Sequence, residues 1–181
     1  MSQKQQEVII RSLQPEDAPH VAKIWVDGLQ QTRDALASRW VVGRLVSYLM
    51  DKLEETATSP KGHVGPEGCN LMTFWTGDDR QFFVAQQNGF IIGCLGVKRG
   101  QEEDKVEDDS KWASVWNVSV QAACRRAGVG SLLMDEAETW ARDQGCTHMH
   151  LYTGNPRARE FYQTLGYHDN HWLKPSMEKE L

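Results

Sequence analysis

The segment Val118-Ser119-Val120-Gln121-Ala122-Ala123-Cys124-Arg125-Arg126-Ala127-Gly128-Val129-Gly130-Ser131 carries the plainest chemistry in the chain. A strand pattern ends, two arginines and two glycines follow closely, and a long helical pattern begins. Glycine lets backbone approach a ligand, and the first-turn amides of a helix lack intrahelical acceptors. Together with the positive end of the helix dipole they favour an anion, and arginines add charge-assisted contacts. The chemistry expected is a phosphate-binding turn. It is not a Walker loop, because Gly-x-x-x-x-Gly-Lys-Ser/Thr is absent, and only Gly128-x-Gly130 of a Gly-x-Gly-x-x-Gly dinucleotide fingerprint is present. The rival reading is that Gly128 and Gly130 only ease helix–strand packing.

Other residues invite chemistry less directly. In Cys146-x-His148-x-His150, alternate strand residues share a face, yet three ligands in one strand do not complete a zinc site, and no metal is expected. The histidines at 20, 63, 168 and 171 are scattered and read as surface residues. Cys69, Cys94, Cys124 and Cys146 form no Cys-x-x-Cys pair and read as free thiols of a reducing, cytoplasmic compartment. Asn155 before Pro156 reads as a helix cap, and Tyr162 beside Phe161 either packs a helix face or offers a phenol. Residues 102–109 hold six acids and one lysine, the pattern of a solvated loop that could also draw in a cationic amine.

The elements that must position these residues follow from periodicity. Residues 8–13 read as a strand, and Gln14-Pro15-Glu16-Asp17 opens a helix carrying Val21, Ile24, Trp25 and Leu29. A second helix is expected over about 34–55, then a glycine- and proline-rich loop over 57–70. Residues 71–76 are ambiguous between strand and helix. Residues 81–87 and 90–98 flank Asn88-Gly89, a hairpin signal because both turn residues tolerate positive φ. Strands at 111–120 and 147–153 enclose a helix at 127–144 and form a parallel β-α-β unit with a right-handed crossover. A short helix at 156–165 and strands near 168–173 and 177–181 complete an α/β fold: one mixed central sheet of about seven strands flanked by helices, in a single domain over 1–181.

Composition bounds the alternatives. With 181 residues, 40% hydrophobic and 25% charged, the chain resembles an ordinary globular protein rather than a disordered one. No apolar run approaches a membrane span, and the polar residues 1–7 lack a signal core. The net charge of -5 argues against a nucleic-acid partner, which needs a basic surface.

Arg125-x-x-Gly128-x-Gly130 after Val118-Ser119-Val120 resembles the pyrophosphate loop of the GNAT superfamily of acetyl-CoA-dependent N-acetyltransferases, whose pattern is Gln/Arg-x-x-Gly-x-Gly/Ala. Downstream, Asn155-Pro156-Arg157-Ala158-Arg159-Glu160-Phe161-Tyr162-Gln163-Thr164-Leu165-Gly166-Tyr167 is similar to the family's second signature. The match covers about 112–168, and the segment looks somewhat like camello-type members that acetylate small amino-acid-like amines. The resemblance implies that parallel strands 4 and 5 splay and that acetyl-CoA fills the wedge. Backbone groups of Val118 and Val120 would bond the pantetheine and thioester. Arg125 and the amides of Arg126, Ala127, Gly128, Val129, Gly130 and Ser131 would hold the pyrophosphate. Asn155 and Ala158 would line the pantetheine arm, and Tyr162 would lie near the sulfur.

The reaction so implied is direct attack of a primary amine on the acetyl thioester, with a small-molecule acceptor preferred to a protein. An alkyl amine of pKa about 10.4 must lose a proton, and a thiolate of pKa about 8.5 must be stabilised. Tyr162 is the candidate acid. For the proton acceptor the alternatives stay open: a water chain, His148, His150 or an acid of 102–109, since residues 112–120 hold no acid. Trp25, Trp40 or Trp75 could line an acceptor pocket. A homodimer is carried over as a further expectation, and a non-catalytic CoA-binding domain is the alternative of another class.

Overall fold

The chain adopts a seven-stranded sheet in the order β1-β2-β3-β4-β5-β7-β6. The computed structural model describes residues 7–36, 75, 77–100, 111–170 and 176–181. Its strands are β1 (Ile9–Ser12), β2 (Arg80–Gln87), β3 (Phe90–Arg99), β4 (Trp112–Val120), β5 (His148–Tyr152), β6 (His168–Asp169) and β7 (Ser176–Glu180). The helices are α1 (Ala18–Leu36), α2 (Val129–Asp143) and α3 (Pro156–Thr164). Every neighbouring pair is antiparallel except β4 and β5, which run parallel on either side of α2.

The expected mixed sheet is therefore present, with local signals behind it. Asn88 at φ 53° and Gly89 at φ 81° both take the left-handed conformation that a two-residue hairpin turn requires. The helix expected from Pro15 begins instead as a 3-10 turn, Pro15–Asp17, that runs into α1. Asp17 explains the change. It turns inward, accepts from Arg11 Nη1 at 2.6 Å and Nη2 at 2.9 Å, and caps the Gln14 N–H at 2.9 Å. Burial alone would raise its carboxyl, but the Arg11 and Gln14 hydrogen bonds outweigh burial and hold it below the usual range. The expected second helix beyond residue 36, the loop 57–70 and the acidic run 102–109 lie outside the described residues. So do 171–173 of the strand expected over 168–173, of which His168–Asp169 is strand.

Two apolar clusters sandwich the sheet. One lies under α2 and α3 and holds Ala113, Val115, Leu133, Met134, Met149, Leu151, Tyr162, Tyr167 and Met177. The other lies under α1 and holds Val21, Ile24, Trp25, Trp75, Phe82, Val84 and Cys94. Burial of these side chains drives the layering. Gly96 of β3 is fixed by the second cluster, because a Cβ there would collide with the Trp75 ring.

Candidate functional site

The site is built around an irregularity in β4. Gly96 pairs with Trp116 and Cys94 with Ser119, so Asn117 and Val118 together oppose Leu95 alone. This is a β-bulge, and Asn117 takes φ 54° within it. Asparagine tolerates that conformation better than the branched residues around it. One extra residue reverses the in–out alternation of the strand. Ala113 and Val115 before the bulge, and Val118 and Val120 after it, all face the α2 cluster. Ser119 faces α1 instead, where a Cβ on Gly28 would lie 3.8 Å from its Oγ. The sequence reading had no bulge, and the lone asparagine between Trp116 and Val118 was the signal that could have shown it.

Beyond the bulge β4 leaves its parallel neighbour. The pairing with β5 runs from Trp112↔His148 to Val115↔Leu151. Residues 116–120 of β4 have no partner on that side among the described residues, while the β3 side stays paired through Val120. The strands thus fork, and main-chain groups of β4 line the gap.

The fork points at the arginine–glycine turn. A 3-10 turn, Ala122–Cys124, leads to Arg125, whose Nε donates to the Val120 carbonyl at 2.9 Å and ties the turn to the strand end. Arg126 at φ 61° and Gly128 at φ 82° are both left-handed. Gly128 is the N-cap of α2 and supplies no side-chain cap, and the first helical bond shown runs from Leu132 N to Gly128 O. The amides of Val129, Gly130 and Ser131 are left without helical acceptors. A Cβ at Gly128 would meet nothing within 4 Å, so the turn is open outward. At Gly130 a Cβ would come within 3.1 Å of Phe161 Cζ. The two readings of the glycines therefore divide: Gly130 lets α3 pack on α2, and Gly128 shapes an uncapped, positive turn.

Helix α3 brings the remaining signature residues to the same side. Asn155 is its N-cap, with Oδ1 accepting from Arg157 N at 3.0 Å. Ala158 and Phe161 pack on the α2 cluster. Tyr162 is 7% exposed, with the Phe161 ring 5.1 Å and the Tyr167 ring 6.0 Å away. Burial pushes its phenol up to about 12. The hydroxyl is therefore protonated at every pH where a protein of this kind works.

On the opposite face of the sheet lies a buried polar pair. Ser114 and His150 are register partners across β4 and β5, and both are buried. The Ser114 hydroxyl donates its one proton to Gly100 O at 2.6 Å. Its contact with His150 Nδ1 at 3.1 Å must then be donated by the histidine. The imidazole is thus held through its Nδ1–H. Sequence patterning placed His150 on a strand but gave no means of seeing Ser114 across from it.

The other candidates disperse. Cys146 precedes β5 and sits in the α2 cluster, its Sγ 3.4 Å from Trp112 O, whereas His148 stacks on Trp112 at 4.6 Å. The three residues of the Cys-x-His-x-His pattern thus do not share a face, because Cys146 lies outside the strand. Among the described residues no group of three potential metal ligands comes together. Burial raises the Cys94 and Cys146 thiols, Cys94 to about 12, which suits structural thiols. Trp25 and Trp75 pack around Phe82 in the α1 cluster, and Trp40 lies outside the described residues. No described helix is long and apolar enough to cross a membrane.

Comparison with known proteins is consistent with this geometry. Residues 47–167 match the model of the acetyltransferase (GNAT) family. A curated relative, N-alpha-acetyltransferase 60 of Xenopus tropicalis, is 26% identical over 113 residues, which cover 52% of this chain and 47% of that protein. The chain thus spans about half the length of that relative. Among solved structures, a PaiA N-acetyltransferase of Thermoplasma acidophilum in complex with coenzyme A aligns with a TM-score of 0.66 at 18% identity, covering 97% of this chain and 99% of that one. A GNAT family acetyltransferase of Brucella melitensis in complex with acetyl-CoA aligns with a TM-score of 0.53 at 16% identity, covering 97% and 89%. At these identities the structures speak for the fold, and the family match speaks for descent. A forked β4–β5 pair, an uncapped glycine turn and the match over 47–167 lead to one conclusion: the chain belongs to the acetyltransferase (GNAT) family.

Proposed function

We propose that the protein transfers an acetyl group from acetyl-CoA to a primary amine at the β4–β5 fork. The observation that carries this reading is the fork itself, ending on the uncapped turn at Gly128. Main-chain groups of Val118 and Val120 would hold the pantetheine arm and thioester. Arg125 and the amides of Arg126, Ala127, Gly128, Val129, Gly130 and Ser131 would hold the pyrophosphate. Asn155 Nδ2 and Ala158 would flank the pantetheine arm. Acetyl-CoA supplies the activated acyl carbon; the chain supplies alignment and proton handling.

The two faces of the sheet divide that handling. The amine nitrogen bonds to the carbonyl carbon and the C–S bond breaks. The amine's proton passes to the His150 imidazole, directly or through a water, and the Tyr162 hydroxyl donates a hydrogen bond to the departing sulfur. With its phenol near 12, Tyr162 acts first as a hydrogen-bond donor that stabilises the thiolate; full transfer to a thiol of pKa about 8.5 is uphill. A main-chain N–H of the bulged strand would face the carbonyl oxygen as charge develops there. His150 thus replaces the water chain as the first choice of proton acceptor.

For the acceptor we infer a small-molecule amine on an unbranched carbon. His150 is 6% exposed, and a slender amine reaches a covered imidazole with least displacement. The second reading is the amino group at the N-terminus of a polypeptide, favoured by the relative named N-alpha-acetyltransferase 60. An α-amine of pKa about 8 needs less help from a base than an alkyl amine does. The test is mass spectrometry of a pooled amine panel with acetyl-CoA: polyamines, amino acids, arylamines, aminoglycosides and peptides. The expected result is an enzyme-dependent product, 42 Da heavier than about one alkyl amine class. A peptide product alone replaces the first acceptor with the second. No product from any amine, with acetyl-CoA bound, contradicts the transferase reading and leaves a CoA-binding domain.

A further inference from the structure

Behind Tyr162 lies a buried charged cluster that the proposed reaction does not use. Glu138, within α2, is 5% exposed. Lys179 of β7 donates to both of its carboxylate oxygens at 2.8 Å. Arg142, one turn further along α2, reaches Oε2 at 3.3 Å, and the Tyr167 hydroxyl donates to Oε1 at 3.3 Å. Burying the Glu138 carboxylate offsets much of its attraction to Lys179, and Arg142 is half exposed and screened, so the cluster adds little net stability. What such a cluster supplies is geometry.

The geometry it fixes is that of the Tyr167 ring. This ring is 2% exposed and anchored at its hydroxyl by Glu138, with Met149 Sδ 3.7 Å from the same oxygen. Lys179 Nζ stands 5.5 Å from its centroid. The main-chain N–H of Tyr167 donates to the Tyr162 carbonyl at 3.1 Å, closing the end of α3. The Tyr162 ring then rests edge-on against it, 6.0 Å away at 62°, with Phe161 as the other wall. Tyr162 sits on a short helix of nine residues, which by itself holds a side chain loosely.

Resting on the role proposed for Tyr162, we propose that Tyr167, pinned by Glu138 and Lys179, is the positioning residue that aims the Tyr162 phenol at the thioester sulfur. The pin joins α2, the end of α3 and β7, so the aim of the phenol is tied to the sheet rather than left to α3.

The test is a double-mutant cycle read with one spectroscopic signal. Tyr167→Phe keeps the ring and removes the anchor. It is expected to lower kcat about three- to tenfold while KM for acetyl-CoA stays within about twofold. In the Tyr162→Phe background the same change is expected to cost under about 1.5-fold, because the group it positions is gone. Independently of turnover, the Tyr162 ring resonance of 13C-tyrosine-labelled protein should move in Tyr167→Phe and move the same way in Glu138→Gln. With four tyrosines in the chain, single substitutions assign the signal. An equal loss in both backgrounds, or an unmoved Tyr162 resonance in both variants, overturns the proposal. If Tyr162→Phe alone leaves turnover intact, the role of Tyr162 at sulfur falls. The resonance alone then decides whether Tyr167 positions that ring.

Discussion

At the scale of single residues, the proposed reaction rests on two side chains held differently on the two faces of one sheet. Tyr162 is buried until its phenol rises to about 12, so it donates throughout the working range. His150 is held by Ser114 through its Nδ1–H, and the proposed reaction gives it the amine's proton. These environments predict separable kinetics. Tyr162→Phe should lower kcat by about 10- to 100-fold by the same factor from pH 6 to 9, since a group titrating near 12 adds no basic limb there. His150→Gln should lower kcat about 100-fold for alkyl amines at neutral pH, and the loss should shrink as pH approaches the amine's own pKa. Stopped assays across pH read both; a Tyr162→Phe loss that vanishes at low pH would contradict the donor role. The placement of Tyr162 and Asn155 on one short helix was legible in the sequence because a helix signature fixes their spacing. His150 was named there only among several possible proton acceptors, because strand register alone shows that Ser114 lies across from it with its own proton already spent on Gly100.

At the scale of elements, the bulge in β4 is the feature on which the site turns. It swings Val118 and Val120 to the α2 face just where β5 departs, and so aims unpaired main chain into the fork. The left-handed Asn117 sets its tolerance to change. Asn117→Gly should stay within about 0.5 kcal/mol of wild type, whereas Asn117→Val should lose about 1–2 kcal/mol, since a branched residue resists positive φ. Chemical denaturation measures both. Equal stabilities would contradict the bulge. Sequence alternation read 111–120 as one regular strand, which is correct in type and incomplete in shape. Period-two patterning does not readily register an inserted residue when apolar residues, Trp116 and Val118, occupy the positions on both sides of it. The hairpin at Asn88-Gly89 and helix α2 were read correctly because turn chemistry and a long apolar stripe are local properties.

At the scale of the whole molecule, the proposed reaction sets acetyl-CoA on one face of the sheet and the amine on the other, with the fork between them. The α2–α3 face holds the glycine turn, Asn155 and Tyr162 over a continuous apolar cluster. The α1 face holds Ser114, His150, Trp116 and Trp25. The order of strands and helices sufficed to foresee the mixed sheet, because a β-α-β unit forces one parallel pair and hairpins force the rest antiparallel. It did not show that Ser114 would lie across from His150 and bond Gly100, a property of register. The most direct measurement of the central claim, that fork and turn together bind acetyl-CoA, is isothermal titration with acetyl-CoA of wild type, Gly128→Glu and Cys124→Ser. The account predicts one site in wild type and in Cys124→Ser, and a loss of at least about tenfold in affinity in Gly128→Glu, where a carboxylate meets the bound phosphates and a side chain strains φ 82°. Unchanged affinity in Gly128→Glu, or no binding by the folded wild type, would contradict it.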